Sequence, residues 1–192
     1  MDTTGKGNNF LQYLTFRVAG EEYAVGILQV KELITYRATT KVPMTLDYFP
    51  GVINLRGSVV PVVDLAAKFG FPPLVVSNRT CIVIVDVQVD TERKIIGIVV
   101  EAVNAVIDLD PADIEPPPSF GAGLRTDYLR GMGKIGDRFV PILDVDQLLS
   151  RDTALASIAS ESVEEGEPAR DDERPSVQPS GAEDVNAGPE PA

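Results

Sequence analysis

Four acidic side chains follow one another closely between residues 108 and 115, a density that occurs in loops that bind Ca²⁺. A calcium-binding loop also needs Gly at its sixth position and Glu at its twelfth. This segment has neither residue at those places, and Pro111 interrupts it. We therefore expect no metal site among its acidic residues, which are Asp108, Asp110, Asp113 and Glu115.

Catalytic groups of the common kinds are missing from the sequence. It has no His and one Cys in 192 residues, which excludes a Ser-His-Asp triad, a Cys-His pair, a His-ligated zinc and an internal disulfide. Asp64 and Asp144 recur in matching contexts, but nothing in the sequence places them at the separation that acid–base hydrolysis needs. The composition thus predicts no catalytic residue and no cofactor.

The densest pattern in the chain is the segment 51–65, GVINLRGSVVPVVDL, which is typical of a strand, a tight turn, a second strand and the start of a helix. Gly57 can take the positive φ that a short hairpin turn requires. Asp64 precedes a short helical stretch and is a candidate N-cap. Arg56 falls at the tip of the predicted hairpin, where spacing alone indicates a side chain that points at solvent or at a partner.

Short alternating runs rich in Val and Ile fill the chain from residue 11 to 106, and turn residues interrupt them repeatedly. Strands that are broken so often are typical of small antiparallel barrels. The sequence also repeats: a shift of 80 residues places Gly51 on Gly131, and a shift of 73 places Val30 on Val103. We predict two duplicated β subdomains that pack on one another and share a core, with the N-terminal strand contributing to the body. Their expected limits are residues 20–80 and 81–145.

The two ends of the chain differ from its body. Residues 1–9 lack the apolar run of a signal peptide, and we expect them to be flexible. Helical spacing predicts a helix that begins near Asp146 and frays over residues 151–160. Residues 161–192 are rich in Glu, Pro, Ser, Gly and Ala, which predicts a disordered acidic tail.

Charge limits the possible partners. The net charge is −12 and the pI is about 4.4, which argues against binding to the nucleic-acid backbone. The last 42 residues hold 11 acidic and 3 basic groups. This tail either only solubilises the protein, or it tunes assembly by repelling like-charged neighbours or binding a basic surface. The longest purely apolar run, Cys81–Val85, is far shorter than the roughly 20 residues of a membrane-spanning helix. We expect a cytoplasmic protein.

The segment 51–65 resembles the signature of the CheW-like chemotaxis coupling proteins. Three further segments share this likeness: YAVGILQVKEL at 23–33, YLRG at 128–131 and VPILD at 140–144. The spacing from Glu32 through Pro43 and Gly51 to Arg56 also fits the family. This resemblance spans roughly residues 10–150. It implies an all-β fold of two tandem, five-stranded SH3-like barrels with short helices and a C-terminal helix.

The resemblance also implies a function. CheW-like proteins are non-enzymatic scaffolds that bridge the cytoplasmic tip of chemoreceptors to the histidine kinase CheA in membrane-associated arrays. The regulatory domain of CheA shares this fold, and barrel ends join the two proteins, with further CheW-like copies as additional partners. The family's receptor-contact positions fall on Val30, Glu32, Gly51 and Arg56, which match in residue type. No residues are assigned to the kinase-facing surfaces.

Several alternatives stay open from the sequence. Glu32 is either a solvated surface charge or the partner of Arg56 on the rim of an apolar groove. Gly51 either admits a receptor helix or only permits a bend. The pathway is either flagellar chemotaxis or another chemosensory system such as surface motility. A small ligand-binding or enzymatic barrel is a further alternative, supported only by the expected cleft between the subdomains.

Overall fold

The computed structural model describes residues 10–43, 45–89, 91–118 and 126–150. Within these residues the strands are β1 (Leu11–Val18), β2 (Glu21–Gly26), β3 (Val30–Thr35), β4 (Gly51–Leu55), β5 (Ser58–Asp64), β6 (Cys81–Val89), β7 (Glu92–Val100), β8 (Ala102–Leu109), β9 (Ile114–Glu115), β10 (Leu129–Ile135) and β11 (Arg138–Leu143). The helices are α1 (Leu65–Lys68) and α2 (Val145–Ser150), and two 3-10 turns cover Ile27–Gln29 and Pro111–Asp113.

The strands form two curled sheets, which confirms the predicted all-β fold of two barrels. Sheet A has the order β8-β1-β2-β11-β10-β9, and sheet B has the order β3-β6-β7-β5-β4. Sheet A exceeds the expected five strands by the two-residue β9 at its edge. Helix α2 begins at Val145, next to the predicted start at Asp146. The predicted flexible N-terminus (1–9), fraying helix end (151–160) and acidic tail (161–192) lie outside the described residues.

The two sheets do not divide the chain near residue 80. Sheet A takes β1 and β2 from the first sequence copy and β8, β11 and β10 from the second, whereas sheet B takes β6 and β7 from the second and β3, β5 and β4 from the first. The limits 20–80 and 81–145 are therefore not those of the sheets. The cause is the short link after each hairpin, since Ile27–Gln29 leads from sheet A to sheet B and Glu101 leads back.

A single apolar core joins the two sheets, as the sequence predicted. It contains Leu14 and Phe16 of sheet A, Val83 and Ile98 of sheet B, and Leu149 of α2. Each sheet also encloses a smaller cluster of its own. Because burial of apolar surface stabilises both sheets through the same residues, we expect them to unfold together.

The aspartate at the start of each helix acts as its N-cap. One carboxylate oxygen of Asp64 accepts hydrogen bonds from the backbone N–H groups of Ala66 at 2.9 Å and Ala67 at 3.3 Å. The other oxygen accepts from the N–H of Leu74 at 2.9 Å. Asp64 is buried, so these bonds replace those that water would supply. The carboxylate thus ties α1 and the segment after it to the end of β5.

We expect Asp64→Ala to destabilise the protein by about 2–3 kcal/mol, because one buried and two partly buried N–H donors lose their acceptor. Asp144→Ala is the matched control, since among the described residues the Asp144 carboxylate accepts only the N–H of Gln147, at 2.9 Å. Its expected loss is about 1 kcal/mol. Urea unfolding of both variants measures the difference, and equal losses would contradict the assigned role of Asp64.

Candidate partner-binding site

Arg56 occupies the first position of the two-residue turn that joins β4 to β5. Its φ is +53°, and that of the following Gly57 is +93°, as a hairpin turn of this type requires. The side-chain oxygen of Asn54 accepts the N–H of Gly57 at 2.9 Å and closes the turn. The Arg56 side chain is 80% exposed. The turn therefore holds a guanidinium group out from the end of sheet B.

Glu32 on β3 forms an ion pair with that guanidinium. Arg56 Nη2 lies 2.9 Å from Glu32 Oε2, and the Glu32 side chain is 26% exposed. Strands β3 and β4 are the two edges of sheet B, so this ion pair connects edges that share no strand ladder. A second link runs beside it, because Arg37 Nη1 donates to the carbonyl oxygen of Asn54 at 3.2 Å. The structure thus brings Glu32 and Arg56 together, which agrees with the alternative in which Glu32 is the partner of Arg56.

The other two predicted site residues point inward. Val30 is half-buried and packs against the shared core. Gly51 is buried with φ at +136°, and a Cβ atom placed on it would lie 2.1 Å from the carbonyl oxygen of Thr40. Thr40 forms two backbone hydrogen bonds with Val52, at 2.8 and 2.9 Å. Gly51 therefore admits the chain's own backbone, and it presents no side chain to a partner.

Comparison of the two copies separates what the fold requires from what it does not. Gly131, the counterpart of Gly51, also admits a neighbouring backbone segment, since a Cβ placed on it would lie 2.9 Å from the carbonyl oxygen of Glu115. Val30 likewise corresponds to Val103, which also packs on the shared core. Residues that recur in this way serve the architecture of both sheets.

The charged pair does not recur in the second copy. The counterpart of Glu32 is Ala105, and the counterpart of Arg56 is Gly136, whose φ is +60°. A left-handed backbone costs a residue with a side chain about 1–2 kcal/mol, which Gly avoids. Arg56 therefore occupies a position where the fold favours Gly. Such strain is concentrated at functional positions.

An apolar cavity of about 300 Å³ lies beside the 3-10 turn that precedes β3. Leu28 on this turn is 93% exposed, and Phe10 and Leu11 are each more than 40% exposed. The cavity lining consists of Phe10, Leu11, Gln12, Tyr13, Gly26, Ile27, Leu28, Gln29 and Arg130. One of the two alternatives for Glu32 placed it with Arg56 on the rim of an apolar groove, whereas neither residue is among those that line this cavity.

Leu28 is a candidate that the sequence analysis missed. Its counterpart under the shift of 73 is Glu101, whose carboxylate accepts the N–H of Gly20 at 3.1 Å. The 3-10 turn and its exposed leucine are thus further features of one copy only. The sequence repeat could have indicated this candidate, because a comparison of the aligned copies shows Leu28, Glu32 and Arg56 among the positions that differ.

One cation lies at this cavity. Burial raises the pKa of the Tyr13 phenol above its ordinary value, and the nearby Arg130 guanidinium acts in the opposite direction. Arg130 is exposed and has no ion pair among the described residues. A partner that lies over the cavity would therefore meet apolar side chains and one positive charge.

Two of the acidic residues between 108 and 115 have structural roles. Asp108 accepts a hydrogen bond from the Gln12 side chain at 3.0 Å, and Asp110 accepts the N–H of Ala112 at 2.9 Å as the cap of a 3-10 turn. Across the part of the chain that the structure describes, no three His, Cys, Asp or Glu residues are grouped so as to hold a metal ion. Among the same residues, no helix has the length and apolarity to span a membrane.

Comparison with known proteins agrees with the fold. Residues 12–153 match the family described as CheW-like domain. The chain belongs to this family. It is similar to a chemotaxis protein CheW of Klebsiella aerogenes, with 35% identity over 72% of this chain and 81% of that protein. It is also similar to the chemotaxis protein CheW of Bacillus subtilis, with 31% identity over 78% of this chain and 93% of that protein.

A solved structure shows the same architecture. The crystal structure of the scaffolding protein TtCheW from Thermoanaerobacter tengcongensis has a TM-score of 0.65 and 31% identity, and the match covers 74% of this chain and 94% of that one. CheW-like proteins are non-enzymatic scaffolds of chemotaxis signal transduction. This CheW-like protein is accordingly an adaptor with partners in a chemotaxis pathway and not an enzyme.

Proposed function

We propose that this CheW-like protein couples the cytoplasmic tip of chemoreceptors to the regulatory domain of a CheA-type kinase in membrane-associated receptor arrays. The observation that carries the proposal is the Glu32–Arg56 pair at 2.9 Å, which one copy has and the other lacks. The fold stands without this pair in its second half. The pair links the edges of sheet B, but sheet A forms without an equivalent pair, so a contact with a partner supplies a further reason for it.

The receptor surface is proposed to consist of Leu28, Glu32 and Arg56. Exposed charges orient a partner and raise its association rate more than they hold it. Leu28 supplies the apolar anchor, because burial of a wholly exposed leucine yields roughly 1.5–3 kcal/mol. Val30 and Gly51 act from below this surface, since Val30 packs on the core and Gly51 admits the backbone of Thr40.

Coupling needs no chemistry in this protein. If the receptor and the kinase occupy separate surfaces, docking of the receptor biases the kinase toward one of its conformations through their shared scaffold. The kinase regulatory domain and further CheW-like copies are proposed to bind at the barrel ends. This arrangement requires that the kinase leaves Leu28, Glu32 and Arg56 uncovered, so that the receptor can bind there.

The direct test uses the full chain. It is titrated by calorimetry against a soluble receptor-tip fragment and, separately, against the regulatory domain of a CheA-type kinase. We expect saturable binding to each partner with one site per chain. Binding to neither partner would leave the family membership intact and overturn the proposed coupling.

A further inference from the structure

Strand β3 contains an extra residue between two of the predicted site positions. Val30 pairs with Val85 of β6 and Glu32 pairs with the adjacent Ile84, so Lys31 has no cross-strand partner. Such an insertion is a β-bulge, which bends and twists its strand. Residues two apart on a strand normally share a face. Here the partner of Val30, Val85, packs in the shared core, whereas the partner of Glu32, Ile84, packs in the smaller cluster of sheet B. The bulge thus separates Val30 from Glu32.

The side chain of Lys31 is held in place by a buried carboxylate. Lys31 Nζ lies 2.8 Å from Asp86 Oδ2, and Arg93 Nε lies 3.2 Å from Asp86 Oδ1. The Asp86 side chain is only 8% exposed, and among the described residues its Oδ1 accepts no hydrogen bond. Removal of a cation from a buried charge is strongly unfavourable. Without Lys31, Asp86 would keep only the ion pair with Arg93, so Asp86 favours the bulge conformation that holds Lys31 beside it.

We propose that Asp86 and Lys31 are positioning residues for the Glu32–Arg56 pair. Lys31 precedes Glu32 directly, so a fixed Lys31 fixes the backbone from which the Glu32 carboxylate reaches Arg56. Asp86 also engages the ammonium group of Lys31, which leaves the carboxylate of Glu32 to Arg56. The expected effect on receptor binding rests on the proposed function. The expected effect on the geometry of the Glu32–Arg56 pair does not depend on it.

The second copy offers a matched control. In β8, Asn104 is the extra residue between Val103, which pairs with Phe16, and Ala105, which pairs with Thr15. The side chain of Asn104 donates to Glu22 at 2.7 Å.

Glu22 is also bound by Arg138, so the second bulge is held by an acid and an arginine as the first is. Burial acts to raise the pKa of Glu22, but the hydrogen bonds from Asn104, Thr15 and Arg138 and the charge of Arg138 outweigh it and hold the pKa below its ordinary value. Glu22 is therefore charged at neutral pH. The bulge in β8 is thus also held by a carboxylate that binds the bulge residue and an arginine, but no charged pair follows it.

The experiment compares Asp86→Asn with Glu22→Gln in the full chain. Two readouts are taken: the NMR shifts of the Glu32 backbone amide and the Arg56 Nε–H group, and the affinity for the receptor-tip fragment. We expect Asp86→Asn to move both shifts and to weaken receptor binding about fivefold, while kinase binding stays unchanged. Adding Lys31→Met to Asp86→Asn is expected to cause no further loss, because the two residues act as a unit.

Glu22→Gln is expected to move neither shift and to leave receptor affinity within twofold of the unmodified chain. Unchanged Glu32 and Arg56 shifts in Asp86→Asn would overturn the positioning role. So would an equal loss of affinity in Glu22→Gln, since that result indicates general destabilisation. If the unmodified chain fails to bind the receptor tip, the proposed function fails, and the shift comparison still decides whether Asp86 positions the pair.

Discussion

A chain that carries Leu28→Glu, Glu32→Ala and Arg56→Gly is expected to lose receptor-tip binding by about 100-fold while it remains folded. Each substitution introduces the residue that the second copy already holds at the equivalent place. The binding loss follows from removal of an exposed apolar anchor and of both charges that orient the partner. The fold is retained because the second copy holds these residues at matching positions: Glu101 in the link before β8, Ala105 in β8, and Gly136 in the β10–β11 turn of sheet A.

The stability of this variant should change little. An exposed ion pair contributes about 0.2–1 kcal/mol, and Arg56→Gly relieves a left-handed backbone at φ +53°. Thermal unfolding therefore tests the fold, and calorimetry tests the receptor and kinase affinities separately. Unchanged receptor affinity would contradict the assigned surface. Loss of kinase affinity as well would show that the three residues are not specific to the receptor.

Gly51→Ala is expected to destabilise the protein by about 4 kcal/mol and to weaken binding of both partners together. The added Cβ would lie 2.1 Å from the carbonyl oxygen of Thr40 and 2.7 Å from its carbonyl carbon. Backbone atoms cannot rotate away as a side chain can, so the bridge between Thr40 and Val52 would have to open. The φ of +136° adds strain of its own.

The control for this variant is Gly57→Ala. Gly57 also has a positive φ, +93°, but no atom lies within 4 Å of a Cβ placed there. Its expected cost is the backbone strain alone, about 1–2 kcal/mol. Urea unfolding distinguishes the two variants. If Gly51→Ala were as stable as Gly57→Ala and lost only the receptor, Gly51 would be a contact residue, as the family resemblance implies.

Local features of this fold were predictable because neighbours in the sequence determine them. The turn at Gly57, the cap at Asp64 and the start of α2 depend on a few adjacent residues, and each occurs as predicted. The shared core also followed from the sequence, since each copy alone is too small to bury its apolar residues well. The pairing of Glu32 with Arg56 was one of two readings, and spacing alone could not choose between them.

The exchange of strands between copies was not predictable in the same way. Both copies carry the same strand pattern. The hairpin of the first copy, β1–β2, therefore fits β8, β10 and β11 of the second, and the hairpin β6–β7 fits β3, β4 and β5 of the first. The choice depends on the path of two short links, Ile27–Gln29 and Glu101, which no periodicity reports. The bulges at Lys31 and Asn104 were also hidden, because a bulge is a property of the pairing of two strands.

The acidic tail stays a prediction, since residues 161–192 lie outside the described residues. If it only solubilises the protein, its deletion should leave the unfolding temperature and the receptor affinity nearly unchanged. Calorimetry and thermal unfolding of the shortened chain measure both quantities. A marked change in receptor affinity would instead favour a tail that repels or binds charged neighbours.

The most direct test of coupling is whether one chain binds both partners at once. The full chain is first saturated with the kinase regulatory domain and then titrated with the receptor-tip fragment. Separate surfaces predict a ternary complex and a receptor affinity within about threefold of that of the free chain, because mild coupling changes affinity little. Displacement of the kinase domain by the receptor tip would mean that the two compete for one surface, and it would contradict the proposed scaffold.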